Sequence, residues 1–581
     1  MSKRPRNKER ITPADIFALS RTRGFRKYLQ ELLLELCRFD TTPKSDIAQL
    51  RAAEDRCFRV LERELRELKF EGARLERRPI NHAIQALAQY SQLQFTKTRE
   101  RPEGLSAEEA YAGRSNLLFM APGTGAGRTG NSIAINGHID VVAPYSSPRA
   151  RRGIVFGRGS CDDKGPVVGA VAALKLLSEL MGRTGLRWNH NVILMLVVDE
   201  ESGGNGSLSL AIDRGLKEWY DSILVCECTG LKLYPANRGA VWYQAELKPP
   251  EGVSSLELYA FVNEELEKEG AAVRAESRHP LFPQRPVQTC HGILRPFGEH
   301  PSRICGHVQF LVQLSRRPDD HIETLVQDCL EAGLAGYIGL YGDKTKTLDA
   351  ATRKPIVARH YELRRTKTGF QIDVHGATGH MGAIRERDGA LTKMAHLVRS
   401  LVSSKSRLEK LVGSPVRLEL GGPVSEKTLM AEGGQGFVPA HSIDEIMTRL
   451  RMAAQRGAEN YLRRIGRFNK GNQVVHVTYD KLHNAAFDGD PDSPTAHNAL
   501  AAARACGLPQ DKPLLGWTVS CDARLFAGEY PKMPVLTFGP GLLAHAHSDQ
   551  EQIAIEDVRR AAEFLALFLL QQTGTVQFAN L

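Results

Sequence analysis

The sequence predicts an α/β protein: a mostly parallel sheet flanked by helices, with a smaller α+β domain inserted into it. Three observations carry that expectation. Between Asn116 and Cys226, apolar runs of strand length alternate with stretches of helical period, the pattern of strands joined by crossover helices. The alternation stops after Arg238-Gly-Ala240 and resumes near Gln473, as expected of one domain inserted into another. The strand-length runs end in clusters of His, Asp and Glu, and in open α/β sheets ligands sit at the carboxyl ends of the strands. The expected boundaries are 1–240 and 473–581 for the first domain and 241–472 for the inserted one.

At 581 residues the chain is too long for one hydrophobic core. Its 42% hydrophobic and 25% charged content is ordinary for a globular protein. The net charge of +10 hints at nucleic acid, but the first ten residues alone carry five bases and one acid. Residues 1–12 read as a disordered, solvated tail. No aromatic-and-basic pattern accompanies it, so no nucleic-acid partner is expected. No apolar run follows the basic start and none reaches membrane-span length, so neither a signal peptide nor a membrane is expected. Ten irregularly spaced cysteines suggest reduced thiols and a cytoplasmic protein.

In order, Thr12-Pro-Ala-Asp15 reads as a capped helix start, and one helix is expected from there through Leu29, Leu32, Leu33 and Leu36. Asp40-Thr-Thr-Pro43 ends it, and a charged helix follows from Asp46 to Leu68. A polar segment, Gln85 to Ala112, leads to the strands Asn116–Met120 and Ser132–Asn136. Then come a helix from Gly165 to Leu180, the strand Val192–Val198, a helix near Ser207 to Gly215 and the strand Ser222–Cys226. Lys248-Pro-Pro250 breaks the chain, and a stretch with no clear period follows. The strand Phe370–Val374, the turn Gly376-Ala-Thr-Gly-His380-Met-Gly382 and helices over 389–402 and 444–464 complete the inserted domain. The parallel pattern is expected to resume with Gln473–Thr478, a helix from Pro494 to Cys506, strands near Trp517 and Val535, and a C-terminal helix.

His138 and Asp140 stand two apart at a strand end, so both side chains face one side. His138 can bind a metal through one ring nitrogen while Asp140 orients the ring through the other. Asp162 lies in Gly157-Arg-Gly-Ser-Cys-Asp162-Asp163-Lys-Gly165, where glycines admit close backbone approach. Its two carboxylate oxygens suit a bridge between two cations. Alternatively, Asp162 and Asp163 cap the helix that follows. Glu200 and Glu201 point different ways, so one can ligate a metal while the other takes a proton from water, as metal-assisted hydrolysis requires. Read singly, either one is better explained as a solvated loop acid. Cys290-His291 and Cys305-x-His307 suggest a zinc knuckle, but their spacing matches no standard structural site.

Together, His138-x-Asp140, Gly157-Arg-Gly-Ser-x-Asp162-x-Lys-Gly165, Asp199-Glu200-Glu201, Glu227 and Gly539-Pro-Gly541…Ala546-His547-x-x-x-Glu551 resemble the motifs of the aminoacylase/carboxypeptidase family of two-zinc hydrolases. That family includes acetylornithine deacetylase, succinyl-diaminopimelate desuccinylase and carnosinase-type dipeptidases. The resemblance implies a zinc-peptidase-like catalytic domain and an inserted lid and dimerisation domain. It makes His138 and Glu227 ligands of two divalent metals, Asp162 their bridge, Glu201 and His547 the remaining ligands, and Glu200 the general base. His545 is the rival to His547, and spacing from Gly539-Pro-Gly541 favours His547. His380 matches the lid histidine that stabilises the reacting carbonyl oxygen, often from the partner subunit of a homodimer. The metals are expected to be zinc, although cobalt or manganese fit the same ligands. The substrate is expected to be a small peptide or an N-acyl amino acid. Asp162-Asp163-Lys-Gly165-Pro166 is most similar to the dipeptidase branch; an N-acyl-amino-acid deacylase and a silent binding protein on the same scaffold are the alternatives. Two departures stand out: residues 247–367 form an atypical insertion, and the lid arginine for a substrate carboxylate has no evident counterpart.

Overall fold

The computed structural model describes residues 10–98, 100–125, 130–283, 288–349, 352–422, 428–479 and 483–577. Of the expected tail, residues 1–9 lie outside these, while Thr12 is ordered as a helix cap. The chain forms two compact units, Met1–Gly239 with His279–Pro283 and Leu482–Leu581, and Ala240–Arg278 with Gln284–Lys481.

The first unit is built on a six-stranded sheet. In chain order its strands are β1 (Arg74–Pro79), β2 (Ser115–Ala121), β3 (Ile133–His138), β4 (Val192–Val197), β5 (Ser222–Cys226) and β6 (Val535–Phe538). Their spatial order is β1-β2-β4-β3-β5-β6. From β4 to β6 the pairs are parallel, whereas β1–β2 and β2–β4 are antiparallel. Strands β3, β4 and β5 are buried throughout, as continuous apolar runs in a sheet covered on both faces must be. The helix Lys164–Thr184 packs along Ile555–Thr573. It is long and apolar enough to cross a membrane, contrary to the expectation that no segment is, but 83% of its most apolar window is buried inside the protein. The single helix expected from Thr12 to Leu36 is two, Pro13–Ser20 and Arg23–Cys37. Thr22 caps the second by accepting from Phe25 N.

The second unit has two sheets and long helices. Tyr361–Thr366, Gly369–His375, His307–Gln313 and Arg417–Leu420 form an antiparallel sheet. Another sheet runs Cys290–Leu294, Leu429–Phe437, Gly239–Leu247, Val475–Thr478. The last strand is a correction: instead of resuming the parallel sheet, Val475–Thr478 pairs antiparallel with Gly239–Leu247. A run of four residues carries too little pattern to select its sheet. No strand forms near Trp517, which makes only an isolated bridge to Asn237. The stretch that lacks a clear period contains two long helices, Ser255–Glu276 and Asp320–Tyr341. Ser255–Glu276 packs against both Ile443–Arg464 and Ala390–Val412. Burial on two sides leaves no single apolar stripe to read.

Candidate metal centre

The sheet register lines up the site. His138 stands level with Val197, Asn136 with Val225 and Cys226 with Phe538, so the polar residues past these strand ends leave the sheet side by side. The chain runs from β3 to β4 on one side and from β5 to β6 on the other. His138 at the end of β3 and Glu227 just past β5 therefore straddle the point where the connections diverge, where such sheets bind ligands. Gly539, after β6, must be glycine: a Cβ there would lie 2.3 Å from Glu227 O.

Two groups of potential ligands meet here: His138, Asp162, Asp163 and Glu227, and Asp162, Glu201 and His547. Asp162 belongs to both. Its Oδ1 is 3.3 Å from His138 Nε2 and its Oδ2 is 3.4 Å from His547 Nε2, while His547 Nε2 lies 2.9 Å from Glu201 Oε1. The Asp162 turn is held from behind by Glu551, which accepts from Cys161 N and Asp162 N at 3.0 and 3.1 Å and from Arg158 at 2.6 Å.

Asp163 occupies the N-cap position of the helix, as one reading allowed, but its side chain makes no capping bond. Its Oδ2 instead accepts from His138 N at 3.2 Å. Asp140 does more than expected. His138 Nδ1 lies 3.0 Å from the Asp140 main-chain carbonyl and 3.4 Å from its carboxylate Oδ1, and the same carboxylate accepts from Glu200 N and Glu201 N at 3.2 and 3.0 Å. With Nδ1 donating to that carbonyl, the Nε2 lone pair is directed towards Asp162, the tautomer that suits ligation.

Glu200 and Glu201 differ in exposure. Glu201 is 8% exposed and faces His547; Glu200 is half-buried, and no hydrogen bond from a described residue ties its carboxylate. Burial, then the nearby Asp522, pushes Glu200 well above the usual carboxylate range. Burial, then Asp162 and Glu200, does the same to Glu227. For His547, burial opposes protonation, but Glu201 and Asp162 outweigh it and raise the ring to about 9. The cluster thus gathers more carboxyl groups than imidazoles, and among the described residues His138 Nε2 has no hydrogen-bond partner. Imidazole and carboxylate donors in such a pocket fit borderline divalent cations.

The remaining expected residues belong to neither ligand group. His380, in the second unit, caps the turn Met381–Ala383 by accepting from Gly382 N at 2.9 Å. His545 is outside both ligand groups. His291 is committed to Tyr243 (2.7 Å) and Glu267 (3.1 Å), and no metal group among the described residues contains the expected knuckle. A third group, Glu276, His441 and Glu445, has both its acids paired with Arg449. Sequence reasoning missed Arg114, which donates to Asp199, and Glu54, which accepts from the same guanidinium. Glu54 sits in a helix dense with charge, so nothing in the pattern marks it.

The family model for Peptidase family M20/M25/M40 matches residues 134–571. Acetylornithine deacetylase from Myxococcus xanthus is 28% identical over 176 residues, 28% of this chain and 43% of that protein. The chain spans less than half the length of the leading curated relatives it matches. The di-peptidase Dug1p from Saccharomyces cerevisiae has a similar fold, with a TM-score of 0.56 at 14% identity over 97% of this chain and 98% of its own. Human carnosine dipeptidase 1 gives 0.54 at 15% over 97% and 100%. The family match takes in every residue of the cluster from His138 to His547, and the chain belongs to Peptidase family M20/M25/M40.

Proposed function

We propose that the protein hydrolyses peptide or N-acyl amide bonds of small substrates, as a dipeptidase or carboxypeptidase-like enzyme, with two divalent cations. The observation that carries this reading is the shared carboxylate of Asp162, one oxygen facing His138 and the other His547. His138 and Glu227 would hold one cation, Glu201 and His547 the other, with Asp162 common to both; zinc is the proposed metal, with cobalt or manganese as alternatives. When bound, the pair supplies a water of lowered pKa and polarises the scissile carbonyl.

The chain's own residues do the proton work. Glu200, the accessible acid of the pair, takes the proton of the attacking water and returns it to the leaving amine. Asp140 holds Glu200 and Glu201 by their main-chain N–H groups, so each carboxylate keeps its own task. His380 is proposed to stabilise the carbonyl oxygen as negative charge develops, contributed by a second copy of the chain in a homodimer. Ten free cysteines support a cytoplasmic location.

N-acyl-amino-acid deacylation is the second reading, favoured by the similarity to acetylornithine deacetylase. Metal analysis of the purified protein, with hydrolysis of a dipeptide panel beside an N-acetyl amino-acid panel, separates the two. Two metals per chain and preference for free dipeptides support the first reading. Preference for N-acetyl substrates selects the second, and metal binding without turnover of either panel would leave a binding protein.

A further inference from the structure

The proton-transfer scheme leaves one buried charge set unused. Arg114, immediately before β2, has a fully buried side chain. It donates to both oxygens of Glu54, at 2.9 Å from Nε and 2.6 Å from Nη2, and to Asp199 Oδ1 at 2.8 Å from Nη2. Glu54 comes from the helix Ile47–Arg66. Two residues after Arg114, Asn116 accepts from Val198 N at 3.4 Å and donates to Gly206 O at 2.9 Å. The start of β2 therefore grips the loop that carries Glu200 at both ends.

Within that loop Asp199 adopts a φ of +63°, a left-handed conformation that a non-glycine residue keeps only under external constraint. Its carbonyl accepts from Gly204 N at 2.7 Å and its carboxylate is held by Arg114. This backbone geometry leaves Glu200 half-buried and Glu201 against His547. If Asp199 relaxed, the untied Glu200 carboxylate would change direction, whereas Glu201 remains held against His547 at 2.9 Å.

We propose that Arg114, braced by Glu54, is a positioning residue that acts through Asp199 to hold Glu200 in its proton-accepting direction. The proposal rests on Glu200 being the general base. A misplacement of about 1 Å can cost on the order of a hundredfold in rate, so the effect should appear in kcat rather than in substrate binding.

The test is a double-variant comparison on the full, metal-loaded chain, with the best substrate from the panels above. Asp199→Asn should lower kcat by roughly 10- to 100-fold, with KM changed less than about threefold and metal content at the wild-type value. In a Glu200→Gln background the same substitution should cost almost nothing, because residues acting as a unit are not additive. Unchanged kcat in Asp199→Asn, an equal cost in both backgrounds, or loss of metal would each overturn the proposal. Wild-type kcat in Glu200→Gln alone would remove the base assignment and the proposal with it, a result distinguishable from the other three. If Asp199→Asn does not fold, Glu54→Gln carries the same comparison, since it loosens Arg114 without altering the loop.

Discussion

Each unit buries a dense set of titratable side chains, and the two sets are wired differently. In the second unit Glu267 accepts from His291, Thr392 and Tyr341, and Asp388 is held by Lys393 and Tyr337. Each of those acids has donors from neighbouring helices or strands. At the strand ends of the first unit, Asp162, Asp163, Glu200, Glu201 and Glu227 share two imidazoles, and burial pushes Asp163, Glu200 and Glu227 well above the usual carboxylate range. Buried acids that the fold satisfies itself serve packing, whereas acids left in excess await a cation. Composition alone does not separate the two cases; the count of donors around each carboxylate does.

That contrast is tested most severely at Asp162. Asp162→Ala should empty both metal positions and take activity to background, while Asp163→Ala should leave both largely occupied. Metal analysis of the two purified variants decides it, and the reverse order would move the shared ligand to Asp163. Next in size is Glu200→Gln, which should retain both metals yet lose about 10²- to 10⁴-fold in kcat. Glu201→Gln, by contrast, should also lower metal occupancy.

In the second unit the same kind of change should cost stability instead. Lys393→Met strands Asp388, where both side chains are fully buried, and should destabilise by about 3–5 kcal/mol with metal content unchanged. Urea unfolding beside metal analysis measures both, and loss of metal without loss of stability would erase the distinction. Mixing inactive Glu200→Ala and His380→Ala chains under verified exchange should restore roughly a quarter of wild-type activity if His380 acts across an isologous dimer. Background activity, or a monomer by sedimentation, would leave His380 no role across subunits.

The smallest effect concerns pH. Burial, then Arg399, pushes the His396 imidazole in the second unit down to about 4. The folded state therefore favours the neutral ring. Its stabilising contribution is complete above the unfolded value near 6.5 and is lost as pH falls from there towards 4. Between pH 7 and 4.5 the Tm of the wild type should drop further than that of His396→Gln. Parallel Tm curves for the two proteins would contradict this.

The chain by itself determined the strands that carry the candidate centre and the residue types at their ends. Val192–Val197 and Ser222–Cys226 are apolar from end to end, which only a covered parallel sheet accommodates. Asp199, Glu200 and Glu201 follow the first of these runs and Glu227 the second, so they were legible as strand-end residues before any contact was known. Tertiary structure alone decided which groups meet. It brought His138 and His547, far apart in the chain, to opposite oxygens of Asp162. It set the Asp140 main-chain carbonyl beside its carboxylate against His138 Nδ1, and it joined Arg114, Glu54 and Asp199 into one buried ion set. It also took Val475–Thr478 into the second unit. The physical reason is common to all of these: periodicity records which face of an element is buried, but a hydrogen bond between remote residues leaves no period in the sequence.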